Sequence, residues 1–151
     1  MGILLGVILL YLIDWFVKGL VEKKVDENQE YIIGKGWIRI RKFYNPGAAM
    51  GFLKEKPQLL NTITVLVTAF FAALLFFTPK QGRGLEKGAY MLILGGALNN
   101  GSERLLKRKV TDYIGFPKLP GVWKQVLFNL SDFFILIGGV LLAVSEWKGN
   151  R

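Results

Sequence analysis

The run Leu59-Leu60-Asn61-Thr62-Ile63-Thr64-Val65-Leu66-Val67-Thr68-Ala69-Phe70-Phe71-Ala72-Ala73-Leu74-Leu75-Phe76-Phe77-Thr78 contains no charged residue and is closed by Pro79. A helix rising about 1.5 Å per residue needs about 20 such residues to cross the hydrocarbon of a bilayer. The run therefore predicts a transmembrane helix over 59–78, and the rest of the chain has to be read with lipid as one of its solvents. Composition agrees: 52% of the 151 residues are hydrophobic and mean hydropathy is positive, which is more apolar than a soluble domain of this size tolerates on its surface.

Upstream, Gly2 to Val21 is a second run of spanning length, with Asp14 inside it. It lacks the basic leader and small-residue cleavage site of a signal peptide, since no charge precedes Asp14 and Val21-Glu22-Lys23-Lys24 is a poor cleavage site. It is read as a retained helix over about 2–21. Between the two runs, residues 22–57 are charged and broken by glycine. After Gly34-Lys35-Gly36, the stretch Trp37-Ile38-Arg39-Ile40-Arg41-Lys42-Phe43 alternates apolar and basic residues, which predicts short strands. With Tyr31, Trp37, Phe43 and Tyr44 suited to the interface, this segment reads as a small β-rich lobe against the membrane surface.

Downstream, a polar loop from Lys80 to Lys87 leads to a weaker run from Gly88, which must borrow Asn99, Asn100 and Gly101 to reach spanning length. A polar helix end is costly in a membrane unless it faces protein or water. A basic stretch holding Pro117 and Pro120 follows, and a last run from Val126 to Val144 carries Asn129 and Asp132 near its start. The expected fold is thus a membrane all-α protein, a single integral domain. It has four transmembrane helices at about 2–21, 59–78, 88–103 and 126–145, a surface β-rich lobe at 22–57 and an outer loop at 104–125. Four spans put both termini on one side.

The net charge of +9 does not signal nucleic acid, because the basic residues flank apolar runs and form no stripe interleaved with aromatics. Membrane lipids with anionic headgroups are the expected partners. Most Lys and Arg lie in the first and third loops, and that distribution alone would put those loops in the cytoplasm. Cysteine and histidine are absent, which excludes disulfides, Cys or His zinc sites, thiol nucleophiles and histidine triads. Proton chemistry falls to carboxylates, and aspartate occurs only at 14, 26, 112 and 132.

Asp14, Asn100 and Asp132 lie at or near membrane depth, where an ionisable group costs on the order of 2.5 kcal/mol or more unless paired or hydrated. Each is a functional candidate. The plainer alternative is a helix-end residue that snorkels to water or bonds a neighbouring helix. Asp112, in Val110-Thr111-Asp112-Tyr113-Ile114, and Asp132 can reach the same membrane face. If they converge they share a proton, and one carboxylate takes a proton from water while its protonated partner polarises a peptide carbonyl. A pair of aspartates also fits one helix cap plus one loop residue.

Five strings decide between these readings. Asn45-Pro46-Gly47-Ala48-Ala49-Met50-Gly51 resembles the N-x-G-A-A-[F/W]-G motif of the lipoprotein signal peptidases. Gly95-Gly96-Ala97-Leu98-Asn99-Asn100-Gly101-Ser102-Glu103-Arg104 resembles their G-G-A-x-G-N-x-x-D-R. Val110-Thr111-Asp112-Tyr113-Ile114 resembles V-V-D-F-I, and Phe128-Asn129-Leu130-Ser131-Asp132 resembles F-N-x-A-D. Asp14 with Lys18 is similar to D-Q-x-x-K. The strings stand in the family's order and cover nearly the whole chain. The resemblance implies an aspartyl endopeptidase, signal peptidase II, that removes the signal peptide of diacylglyceryl-modified prolipoproteins just before the lipidated cysteine. It implies Asp112 and Asp132 as catalytic dyad, Asn45, Gly47, Asn100, Arg104, Asn129 and Asp14 as substrate-binding or supporting residues, and neither cofactor nor metal.

It also implies a multi-pass protein of the bacterial cytoplasmic membrane, with the site near the outer face and both termini cytoplasmic, against the Lys and Arg count; a monomer is expected. Glu103 departs from the family's Asp, Asn99 from Gly, Ser131 from Ala, and Pro46 sits inside the first motif. Two competing functions remain open on sequence: a silent paralogue that binds lipidated peptides, and a small proton-coupled transporter using Asp14, Asp112 and Asp132.

Overall fold

The computed structural model describes residues 2–48, 51–78 and 84–149. In chain order these are helix α1 (Gly2–Lys24), strands β1 (Glu30–Ile33) and β2 (Ile38–Asn45), helices α2 (Pro57–Phe77) and α3 (Gly84–Lys107), strands β3 (Val110–Gly115) and β4 (Leu127–Phe128), and helix α4 (Leu130–Gly149). Ala49 and Met50 of the first motif, Pro79 and residues 80–83 of the second loop lie outside the described residues.

Three of the helices, α1, α2 and α4, are both long and apolar enough to cross a membrane among the described residues. Their burial pattern inverts that of a soluble protein. The buried face of α1 is Val7, Asp14, Lys18 and Val21, whereas Leu4, Leu5, Ile8, Leu9, Leu12, Trp15 and Phe16 are exposed. On α2 only Leu60 is buried. Polar groups facing protein and apolar groups facing outward is the arrangement that lipid demands.

The expected third span is a helix of 24 residues, but it is not among the apolar ones. It fills the middle of the bundle, touching α1, α2 and α4, with Ala89, Tyr90, Ile93, Gly95, Gly96, Asn99, Asn100 and Glu103 buried. Low hydropathy and central position belong together, because a helix lined by protein has partners for its polar residues. Glycine allows that closeness. A Cβ on Gly96 would meet the backbone carbonyl of Ser131 on α4, and one on Gly138 of α4 would lie 2.8 Å from the carbonyl of Ala89 on α3. Gly96→Ala is expected to destabilise the fold by about 1–3 kcal/mol, as overpacking does; thermal unfolding in detergent checks this, and an unchanged midpoint would show the α3–α4 contact to be slack.

The β-rich lobe forms at the expected place but is not confined to 22–57. The sheet is antiparallel with strand order β1-β2-β3-β4, so the loop over 104–125 supplies β3. The last span also begins later than 126, because Leu127 and Phe128 pair with Gly115 and Ile114 and the helix starts only at Leu130. The register of β2 on β3 slips between Ile40 and Phe43, setting Phe43 opposite Asp112 and Asn45 opposite Val110. Such a bulge re-aims side chains. Val21 and Val25 of the α1 end pack with Tyr113 of β3, seating the sheet on the helices.

Candidate active site

Asp112 is carried by β3, whose residues 110–113 are all buried. One of its carboxylate oxygens accepts from Nδ2 of Asn45 at 2.9 Å and the other from Nδ2 of Asn129 at 2.7 Å. Asp132 lies in the first turn of α4. Asn129 and Asp132 form a reciprocal cap: the backbone N–H of Asp132 donates to Oδ1 of Asn129, and the backbone N–H of Asn129 donates to Oδ2 of Asp132, each at 3.0 Å. Asn129 thus holds both aspartates, one through its side chain and one through its backbone. The other oxygen of Asp132 accepts from Nδ2 of Asn100 at 2.9 Å.

The start of α4 leaves no donor idle. Leu130 N–H donates to the Tyr113 hydroxyl at 3.3 Å and Ser131 N–H to Oδ2 of Asp14 at 3.1 Å, so the four N–H groups from 129 to 132 are all met by side chains. A helix N-terminus also favours negative charge, which suits an ionised Asp132. Asp112 has no such helix end. Burial, and then the nearby charge of Asp132, push its carboxyl up to about 7, opposed by the amides of Asn45 and Asn129. The two carboxylates are therefore placed in unequal surroundings.

Asn45 does more than donate to Asp112. Its amide also reaches the carbonyl of Ala48 at 3.2 Å, and its oxygen accepts from Gly47 N–H at 2.9 Å. Gly47 sits where a Cβ would come within 2.7 Å of the Gly51 backbone, so this tight turn excludes any side chain. Its carbonyl accepts from Arg104 at 3.3 Å. Arg104 is accordingly hydrogen-bonded to the turn and, among the described residues, to neither carboxylate, although its charge acts on both Asp132 and Asp112, and its buried Nε has no hydrogen-bond partner among the described residues.

Asp14 is not beside the pair. It stands behind it, accepting from the Tyr113 hydroxyl at 2.8 Å and from both the backbone and hydroxyl of Ser131. Burial and the adjacent Asp14 hold the Tyr113 phenol above its ordinary range, so it remains the donor. Lys18, one turn further along α1, is the residue that sequence reasoning left out of the site. Its ammonium lies 3.3 Å from Asp14 and 2.9 Å from Glu103, and it donates to the side-chain oxygens of Asn99 at 2.7 Å and Asn100 at 2.8 Å. Since Lys18 occupies the oxygen of Asn100, the amide nitrogen has to face Asp132. Glu103 in turn accepts from the backbone N–H of Thr111, the neighbour of Asp112, at 3.0 Å.

Three of the departures from the family strings, Glu103, Asn99 and Ser131, all touch Lys18 or Asp14. Glu103 finds its partners in Lys18 and Lys107. The signal available in sequence was a lysine four residues after an aspartate inside a span, which needs buried acids to be tolerated there.

Above Asp112 opens a cleft of about 780 Å³, lined by Arg39, Arg41, Phe43 and Asn45 of β2 and by Val122, Gln125 and Val126 across from them. Two buried carboxylates at the head of apolar helices, one of them, Asp112, lining a cleft, form an arrangement suited to general acid–base attack of water on a peptide bond.

Comparison with known proteins agrees with this chemistry. The sequence model of the family described as Signal peptidase (SPase) II matches residues 6–148. The lipoprotein signal peptidase of Halothermothrix orenii is 32% identical over 145 residues, covering 96% of this chain and 94% of that protein. That of Mesorhizobium japonicum is 34% identical over 140 residues, covering 92% and 81%, and that of Brucella ovis 34% over 146 residues, covering 96% and 89%. Two solved bacterial membrane enzymes share the fold. One has a TM-score of 0.86 at 22% identity, covering 99% of this chain and 90% of its own, and the other a TM-score of 0.80 at 22% identity, covering 95% and 91%. With a family match along nearly its whole length and relatives at this identity, the chain belongs to the signal peptidase II family, a family of aspartic peptidases.

Proposed function

We propose that this chain removes the signal peptide of diacylglyceryl-modified prolipoproteins by cleaving just before the lipidated cysteine, with Asp112 and Asp132 as the catalytic pair. The observation that carries the reading is Asn129, which binds both carboxylates at the start of an apolar helix. Asp132, at the helix N-terminus, acts as the ionised member, and Asp112 holds the shared proton. Asp132 takes a proton from water as the water oxygen bonds to the scissile carbonyl carbon, while Asp112 donates its proton to the carbonyl oxygen. Collapse of the tetrahedral intermediate breaks the C–N bond as the proton held by Asp132 passes to the leaving amine of the lipidated cysteine and one hydroxyl of the intermediate returns its proton to Asp112, which restores the pair and leaves a carboxylic acid that ionises. The products are a signal-peptide carboxylate and a free cysteine amine.

In this reading α3 is the fourth span, its 24 residues reaching about 36 Å while its polar side chains are sheltered by the three apolar helices. Both termini are cytoplasmic, the sheet and the pair lie at the outer face, and the exposed apolar helix faces contact membrane lipids, the protein working as a monomer. Asn45, Gly47, Asn100 and Arg104 shape the site, and Asp14 supports it from behind.

The test is a gel-mobility assay on purified protein in detergent with a diacylglyceryl-modified prolipoprotein and its unlipidated form. Cleavage of the lipidated substrate alone is expected. No cleavage by a folded sample would reject the reading.

A further inference from the structure

Arg39, Arg41, Phe43 and Asn45 of β2, whose register slips between Ile40 and Phe43, all line the cleft above Asp112. Phe43 is the cross-strand neighbour of Asp112. At about 3.3 Å per residue for a regular strand, Arg41 stands at most about 7 Å and Arg39 at most about 13 Å further along, the bulge shortening both. Lys54 lines the same cleft, and Asp112 is the only acid in its lining among the described residues.

The three cations are not equivalent. Arg39 already lies 3.4 Å from the Glu30 carboxylate and donates to the carbonyl of Lys124. Lys54 has Glu55 within 3.9 Å. Arg41 is exposed and makes no hydrogen bond or ion pair among the described residues, although Glu30 is its cross-strand neighbour.

We propose, resting on the reading of the chain as a lipoprotein signal peptidase, that this cleft is a specificity subsite for acidic side chains in the mature segment just after the lipidated cysteine, read chiefly by Arg41. An apolar signal helix stays among the membrane helices, so the chain beyond the scissile bond must leave toward the sheet. In extended form it advances about 3.3 Å per residue. A side chain two to four residues past the cysteine then comes opposite Arg41 and Arg39. β2 is already paired on both edges by β1 and β3, so the peptide lies over the sheet face and is read through side chains. The alternative occupant, an anionic lipid headgroup, gains nothing from a cleft that begins at Asp112 and Phe43.

The experiment uses the full chain in zwitterionic detergent with diacylglyceryl peptides carrying Asp, Ser or Lys at the second to fourth positions after the cysteine. The Asp peptide is expected to exceed the Lys peptide in kcat/KM by about fivefold, as for a partly exposed charge pair. The difference should sit in KM, shrink in high salt and fall toward parity in Arg41→Gln. Equal kcat/KM for the Asp and Lys peptides would overturn the subsite while leaving the peptidase intact.

Fluorescence anisotropy of the same peptides separates the two failures. If no peptide is cleaved, the peptidase reading fails, yet an Arg41-dependent preference in binding would still support the subsite, and its absence would overturn it. A preference that disappears when phosphatidylglycerol is added, with Arg41→Gln no longer retaining that lipid, would give the cleft to headgroups and overturn the proposal.

Discussion

Asp112→Asn is expected to lower prolipoprotein cleavage by at least about 10³-fold, and Asp132→Asn by a similar factor, the scale of a lost general acid or base in a pair that works as one unit. Folding should survive both changes. An asparagine at 132 keeps one of the two bonds, to the N–H of Asn129 or to the amide of Asn100, and at 112 one amide can turn away because Asn45 has the Ala48 carbonyl as a second acceptor. Single-turnover rates beside thermal unfolding read the two effects apart, and turnover retained in either variant would reject the pair. The pH profile carries a sign. Asp112 is pushed up to about 7 by burial and by Asp132, so raising the pH through about 7 strips the shared proton and leaves two carboxylates with no acid. The rate should fall there. At low pH both members are protonated, no base remains, and the rate should fall again. A rate limited by chemistry yet flat between these limits would contradict the mechanism.

Lys18→Met is expected to produce the largest loss of stability, about 3–5 kcal/mol, because removing one partner of a buried ion pair strands the other. Here two acids lose that partner, Asp14 being left with its hydrogen bonds alone and Glu103 with Lys107. The Lys18 side chain is 3% exposed and its ammonium faces Asp14 and Glu103. The oxygens of Asn99 and Asn100 lose their donor as well. The catalytic consequence differs from a simple loss of fold. With its oxygen unheld, Asn100 is free to turn its amide from Asp132, so kcat in the surviving folded fraction should drop by about 10–100-fold, the scale of a lost supporting contact, with KM little changed. Thermal unfolding and active-site-normalised kinetics measure the two effects. An unchanged unfolding midpoint would show that the network contributes nothing to the fold.

Much of this was legible in the chain. The uncharged run at 59–78 and the runs beginning at Gly2 and Val126 announced apolar helices, because burial in lipid requires unbroken hydrophobicity that the sequence displays directly. Alternation over 37–43 announced β2, since period two is local. The loss of histidine and cysteine chemistry and the short roll of aspartates were matters of composition.

What the sequence alone determined is therefore the membrane class, the three apolar helices and the alternating strand at 37–43, and the restriction of proton chemistry to a few carboxylates, all consequences of local periodicity and residue type. Tertiary structure decided the rest. It alone put β3 from one loop beside β2 from another, turned the residues just before α4 into an edge strand, and made a polar α3 the centre of the bundle. It alone brought Asn129 between Asp112 and Asp132 and set Lys18 among Asp14, Glu103, Asn99 and Asn100, residues separated by more than 80 positions in the case of both amides. The physical reason is that a buried charge is tolerable only through partners in space, and the identity of those partners is fixed by packing and strand register, which no local pattern encodes.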